Sequence, residues 1–245
     1  MPAVAVPATT RVCSPRMPGV GDVWIVQHAE KEPGDAEPAD PGLTERGRRQ
    51  ARRAAAHLWE VGPFDLLCSS PLRRARQTAE ALAERLGLSV LVDDRLRERM
   101  NWGAAPVGSP SALAESVDEF LREWRHATRD RDYVPASGDS SRATGERFRL
   151  LLEELAVGAG ERAFPPVLGP LVRRAVVVSH GGVTVDLLRT LFGDGAVRDA
   201  APDAIERGIP SCGITRLARR ASAWELVGLG DIAHLAGEES DWGLS

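Results

Sequence analysis

The sequence predicts an α/β fold: a three-layer α/β/α sandwich with a mostly parallel sheet and an antiparallel edge. Three observations lead there. Two short continuous apolar runs, Val23-Trp24-Ile25-Val26 and Ala175-Val176-Val177-Val178, have the pattern of parallel strands buried on both faces. Helical and strand-like segments alternate along most of the chain, which argues for an open sheet covered by helices on both sides. Near the end, residues 213–218 and 223–227 read as two strands joined by a short turn, and such a hairpin is antiparallel.

The elements follow in order. After the strand at 23–26 comes a loop rich in Gly, Pro and Asp, over residues 32–42. Thr44 then stands where a helix N-cap belongs. Ala51, Ala54, Ala55, Leu58 and Trp59 recur at helical spacing and form an apolar stripe on a helix that stops near Gly62. Residues 64–68 read as a second strand, and Pro71 suits the first turn of the next helix. Leu72, Ala75, Ala79, Leu82, Ala83 and Leu86 give that helix its buried stripe, with Gly87 as its C-terminal stop. A third strand is expected at 89–92. Alternation then lapses from about 101 to 137, where Val117, Phe120, Leu121 and Trp124 mark a helix. Phe148, Leu151, Leu152 and Leu155 mark another, and Val183, Leu187, Leu188 and Leu191 a further one after the strand at 175–178.

Composition narrows the function classes. The 245 residues are 43% hydrophobic and 27% charged, ordinary values for a globular protein. A chain of this length buries roughly 70–75% of its unfolded surface and needs neither disulfides nor a structural metal to fold. With 31 basic and 35 acidic residues the net charge is −4, so no overall basic field draws the protein to nucleic acid. No apolar run approaches the ~18–20 residues of a membrane span. Lys31 is the one lysine among the basic residues, a skew that resembles codon bias toward GC-rich genomes. Cys13, Cys68 and Cys212 are odd in number, widely spaced and without a CxxC pair, as expected of incidental thiols in a reducing cytoplasm. Residues 1–20 hold four prolines among small residues and read as a disordered leader, and Met17 could equally be the start. With no internal repeat and no sharp break in composition, a single domain is expected over 21–235. It would carry a helical insertion at about 101–137 and a tail over 236–245.

In open α/β sheets, ligands bind at the carboxyl ends of the strands. Of five histidines, His57, His126 and His234 read as ordinary surface or core residues, two of them on helices. His28 and His180 differ, because each directly follows one of the two strongly apolar strands. Histidine is the side chain most easily poised for nucleophilic or acid–base work near neutral pH.

Four blocks in order extend this reading. They are Gln27-His28-Ala29-Glu30 with Leu43-Thr44-Glu45-Arg46-Gly47 after it, Ser69-Ser70-Pro71-Leu72-Arg73-Arg74-Ala75, Leu96-Arg97-Glu98-Arg99, and Val178-Ser179-His180-Gly181-Gly182-Val183. Together they resemble the histidine phosphatase (phosphoglycerate mutase-like) superfamily over roughly residues 22–228. The resemblance implies a phosphoglycerate mutase-like fold, a small phosphorylated substrate, and neither metal nor other cofactor. It implies that His28 is the nucleophile, attacking phosphorus and becoming a transient phosphohistidine. Arg74 would hold the phosphoryl oxygens in the forked manner of a guanidinium, and His180, if protonated, would add a second donor. Glu98 would protonate the leaving oxygen and then activate the water that hydrolyses phosphohistidine. Thr44 and Gly181, within these blocks, and Lys31, directly after Glu30, are candidate phosphate or substrate contacts.

One departure stands out. The family usually places arginine immediately before the nucleophilic histidine, and this chain has Gln27. A glutamine amide donates to a phosphate oxygen but carries no charge. Charge-assisted hydrogen bonds contribute roughly 1.5–3 kcal/mol against about 1 for neutral ones, a deficit of about tenfold in rate. Three readings follow: a nearby cation such as Lys31 substitutes, the substrate carries less charge, or catalysis is lost and binding kept. Two further places stay open. Ser140, in Gly138-Asp139-Ser140, is either a substrate contact or a helix N-cap, and Trp102 either packs its loop or lines the pocket. Asp93-Asp94 lacks partners and makes a poor metal site. The last two strands could pair across a homodimer or be capped.

Overall fold

The computed structural model describes residues 21–33, 40–101, 117–136, 138–156, 174–221 and 223–237. The expected leader, Cys13, Trp102 and most of the expected tail lie outside them. Strands β1 (Asp22–Gln27), β2 (Leu66–Ser69), β3 (Val90–Val92), β4 (Arg174–Ser179), β5 (Ile214–Arg220) and β6 (Ala223–Asp231) form one sheet in the order β3-β2-β4-β1-β5-β6. The first four in that order run parallel; β5 and β6 are antiparallel to their neighbours. This is the mostly parallel sheet with an antiparallel edge that the sequence predicts.

Alternation along the central strands explains the two helical layers, because successive side chains leave opposite faces of a strand. Val23 and Ile25 of β1, with Ala175 and Val177 of β4, face Phe148, Leu151 and Leu152 of α4 (Ser141–Ala156) and Leu187 and Leu188 of α5 (Gly181–Ala200). Trp24 and Val26, with Val176 and Val178, face Ala51, Ala54 and Leu58 of α1 (Glu45–Val61) and Ala75, Ala79 and Leu82 of α2 (Arg73–Leu86). The expected insertion contributes α3 (Val117–Arg129), whose Trp124 and Ala127 are buried, and a short α6 (Ala204–Arg207) follows α5. No helix among the described residues is long and apolar enough to cross a membrane.

Some local expectations give way. Trp59 was expected on the buried stripe of α1 but is 55% exposed, with the Arg85 guanidinium 5.1 Å above its ring. It lies at the flank of the stripe, beside the wholly buried Leu58, and a cation covers the indole instead. Pro71 lies two residues ahead of α2, not in its first turn, and Phe64 precedes β2. Helix α5 is broken at Gly193 by a backbone conformation with φ +81°.

Helix α1 starts as predicted. The Thr44 hydroxyl accepts from the Gly47 N–H at 2.9 Å and donates to Glu30 Oε1 at 2.6 Å, tying the helix to the loop after β1. Replacing this cap, Thr44→Ala, is expected to lower unfolding stability by about 1–2 kcal/mol, read from urea denaturation midpoints. An unchanged midpoint would contradict this role.

Candidate active site

Three parallel strands end side by side at one edge of the sheet. In their register Gln27 pairs with Ser179, and Ser69 with Val178. Two backbone bonds continue this pairing one residue further: His28 N–H donates to Ser179 O and Ser70 N–H to Val178 O, each at 3.0 Å. His28, His180 and Ser70 therefore leave three adjacent strand ends. The ring centroids of His28 and His180 are 5.2 Å apart and the planes are inclined by 60°.

The hydrogen bonds of His28 define what it can do. Its Nδ1 lies 2.8 Å from the Ala29 carbonyl oxygen, which only accepts, so Nδ1 carries the proton. That leaves a lone pair on Nε2, and two donors point at it: Arg74 Nε at 3.2 Å and Gln27 Nε2 at 3.3 Å. Burial, followed by the charge of Arg74 and a smaller contribution from Lys31, pushes the His28 pKa well below the usual histidine range. A buried neutral imidazole with a directed lone pair is a nucleophile or a base.

His180 is wholly buried, and its Nε2 lies 2.7 Å from Ser70 Oγ. Burial, Arg74, His28 and Arg147 all push its pKa well below the ordinary value. These influences oppose the protonated form in which His180 would be a second donor, so a donor role falls to the N–H of the neutral ring. Arg74, in the first turn of α2, is 5% exposed and also donates to Asn101 Oδ1 at 3.2 Å. Burial lowers its pKa against the opposing pull of Glu98 and Asp40. The first backbone N–H of α2, from Arg73, is engaged by Asp40 Oδ1 at 2.7 Å.

Glu98 sits on the amino end of α5. Its carboxylate accepts from Val183 N–H at 2.9 Å, Gly182 N–H at 3.1 Å and its neighbour Arg99 N–H at 2.8 Å. A β-carbon at position 182 would lie 2.6 Å from Glu98 Oε1 and 2.5 Å from the Trp124 ring, so this approach requires glycine. Burial is the largest influence on Glu98 and raises its pKa, opposed by the Arg99 hydrogen bond and by the charges of Arg99 and Arg74. A carboxyl with raised pKa, electrostatically coupled to the guanidinium that contacts His28, suits general acid–base work.

The remaining sequence candidates divide. Gly181 packs at the Gln27 amide: a β-carbon there would be 3.6 Å from Gln27 Nε2. Lys31 bridges to Leu43 through its backbone, and its charge reaches His28. Thr44, expected to meet phosphate, instead has its hydroxyl engaged in the α1 cap and on Glu30. Ser140 takes the capping alternative, accepting from Ala143 N–H at 3.2 Å, while Asp139 pairs with Arg97. Among the described residues no group of three or more potential ligands could hold a metal ion.

Sequence reasoning missed several supports. Arg147 of α4 donates to the carbonyl oxygens of Arg95, Arg97 and Glu98, and Ser179 Oγ donates to Leu96 O at 2.8 Å, so the Glu98 loop is held by its backbone. Thr78 Oγ1 accepts from Ala29 N–H and donates to Arg74 O, joining the His28 loop to α2. The Arg147, Ser179 and Ala29–Thr78 contacts join residues far apart in sequence; Ala29 and Ser179 stand in the sequence blocks and Thr78 just beyond the one that opens with Ser69-Ser70-Pro71, whereas Arg147 stands in none.

Residues 23–232 match the histidine phosphatase superfamily (branch 1). The Escherichia fergusonii protein named "Probable phosphoglycerate mutase GpmB" is 30% identical over 228 residues, covering 87% of this chain and 94% of that one. A mycobacterial glucosyl-3-phosphoglycerate phosphatase, solved with inorganic phosphate, superposes with a TM-score of 0.65 at 25% identity, covering 88% and 99% of the two chains. A structure titled mycobacterial hydrolase 1 gives 0.64 at 28% identity, with 87% and 99% covered. The sequence blocks, the sheet and the match over most of the chain agree: this chain belongs to the histidine phosphatase superfamily.

Proposed function

We propose that the protein is a metal-independent phosphomonoester hydrolase acting on a small phosphorylated substrate through a phosphohistidine at His28. We place it in a branch where glutamine precedes the nucleophile, with residues 21–235 as the working domain. The observation that carries this reading is the fixed tautomer of His28, whose Nε2 lone pair lies between Arg74 and Gln27. When a phosphoryl group arrives, these two donors transfer to its oxygens and Nε2 attacks phosphorus. The P–N bond forms as the ester P–O bond breaks, and Glu98 gives its proton to the departing oxygen. Glu98 then takes a proton from water, whose oxygen attacks phosphorus, and the P–N bond breaks to release inorganic phosphate and neutral His28. Charge on the transferring oxygens is met by Arg74 and by an N–H of His180, in a buried site where such contacts are strong.

The phosphatase among the structural relatives supports hydrolysis of a small phosphate ester. The name of the 30% identical relative favours a second reading, a phosphoglycerate mutase, and Gln27 favours a third, a catalytically silent domain that binds phosphorylated ligands. A panel of phosphorylated metabolites that includes 3-phosphoglycerate separates all three. The expected result is phosphate release from at least one ester, with acid-labile phosphate trapped on the protein, and both lost by about a thousandfold or more in His28→Ala. Isomerisation of 3-phosphoglycerate without release would favour the mutase; no release above the His28→Ala control would leave only binding.

Two further outcomes follow. Because His28 is pushed below the usual range, its ring is protonated only at lower pH; an NMR titration should place its midpoint below the ordinary value near 6.5. A midpoint at or above 6.5 would contradict a buried neutral nucleophile. Restoring the charge with Gln27→Arg should raise kcat/KM by about tenfold, the difference between neutral and charge-assisted hydrogen bonding. No gain would indicate that Lys31 already supplies the cation.

A further inference from the structure

Residues Glu98 and Arg99 dock on α5 as two adjacent prongs. Glu98 takes the first-turn N–H groups of Gly182 and Val183. One helical turn further, Arg99 Nη1 reaches both carboxylate oxygens of Asp186, at 3.1 and 3.2 Å. The two side chains of that ion pair are 2% and 1% exposed. Arg99 is held from its other side by α3: Nη2 donates to Thr128 Oγ1 at 2.8 Å, and the guanidinium lies 4.2 Å from the centre of the Trp124 ring. Asp186 is fixed in turn by α4, accepting from Ser141 Oγ at 2.5 Å.

A buried ion pair is a poor source of stability, because desolvating both charges largely cancels their attraction. Its geometry, in contrast, is highly specified, and here it anchors the residue whose own N–H completes the cradle of Glu98. Sliding Arg99 along α5 would draw Glu98 off the Gly182 and Val183 N–H groups, since the two residues are consecutive. We propose that Asp186, acting through Arg99, is a positioning residue that keeps the Glu98 carboxyl seated on the first turn of α5. This rests on the reading of Glu98 as the group that protonates the leaving oxygen. The charges facing this assembly are Arg74 of α2, Arg147 of α4, and Arg131 and Arg189 beside Asp186.

Leaving-group dependence tests it. A nitrophenolate departs with little help from a proton, whereas an alkoxide needs one, so only the alkyl ester senses a misplaced acid in kcat/KM. Wild type, Asp186→Asn and Arg99→Lys would be compared on 4-nitrophenyl phosphate and glycerol phosphate. The expected result is a ratio of alkyl to aryl kcat/KM that falls about tenfold or more, within the range attributed to general acid catalysis. A purely architectural role would lower both substrates alike and leave the ratio unchanged, which overturns the positioning role. The asparagine keeps nearly the same volume; if it fails to fold, Arg99→Lys, which keeps the charge but loses the fork, reads the same ratio. Release of phosphate by wild type from neither of these esters nor any ester of the panel would fell the hydrolase reading and this one with it. Equal losses against an active wild type would overturn this one alone.

Discussion

The site depends on the register in which β2, β4 and β1 come to an end. Because side chains alternate with a period of two, a slip of one residue in any pairing would turn His28, His180 or Ser70 to the opposite face of its strand. The register is held by packing on both faces, since a slip would exchange side chains of different size between the two layers. Val23 and Ile25 belong to one core and Trp24 and Val26 to the other, so each residue from 23 to 26 is committed to a layer. The two cores fix the strands, and the strands set two imidazoles within ring contact.

Burial at that edge has an electrostatic consequence. Removing Arg74, His28 and His180 from water disfavours charge on all three, and Arg74 alone retains it readily. The guanidinium therefore keeps its charge beside two imidazoles whose protonated forms are opposed, and an anion brought to it would meet low effective dielectric, where attraction is several times stronger than in water. The carboxyl of Glu98, cradled on backbone N–H groups at the amino end of α5, is held by contacts separate from those that hold the rings.

The layers and the two histidines were legible in the sequence because their signals are local. Continuous apolar runs, helical stripes, the Thr44 cap and the Gly87 stop each occupy a few consecutive residues. What was not legible depends on partners distant along the chain: Ser70 meets His180, Arg147 holds the carbonyls of the Glu98 loop, and Arg99 finds Asp186. Nothing in the neighbourhood of Asp186 marks it as a partner for a residue 87 positions away. Thr44 and Ser140 show the converse, since their residue types suit both a cap and an anion contact, and the fold engages them as caps. Trp59 fitted the helical stripe by spacing alone, but spacing does not say how far round the helix the buried face extends.

The scarcity of lysine has a practical side. Most cation contacts here are made by guanidinium groups, several of them stacked on rings, as Arg174 is over Trp24 and Phe64. Acylating reagents that seek primary amines thus have a single side chain to find, and it lies close enough to His28 for its charge to act there. A fluorophore attached to Lys31 would lie within electrostatic reach of His28, turning an accident of composition into an optical reporter of events at that imidazole.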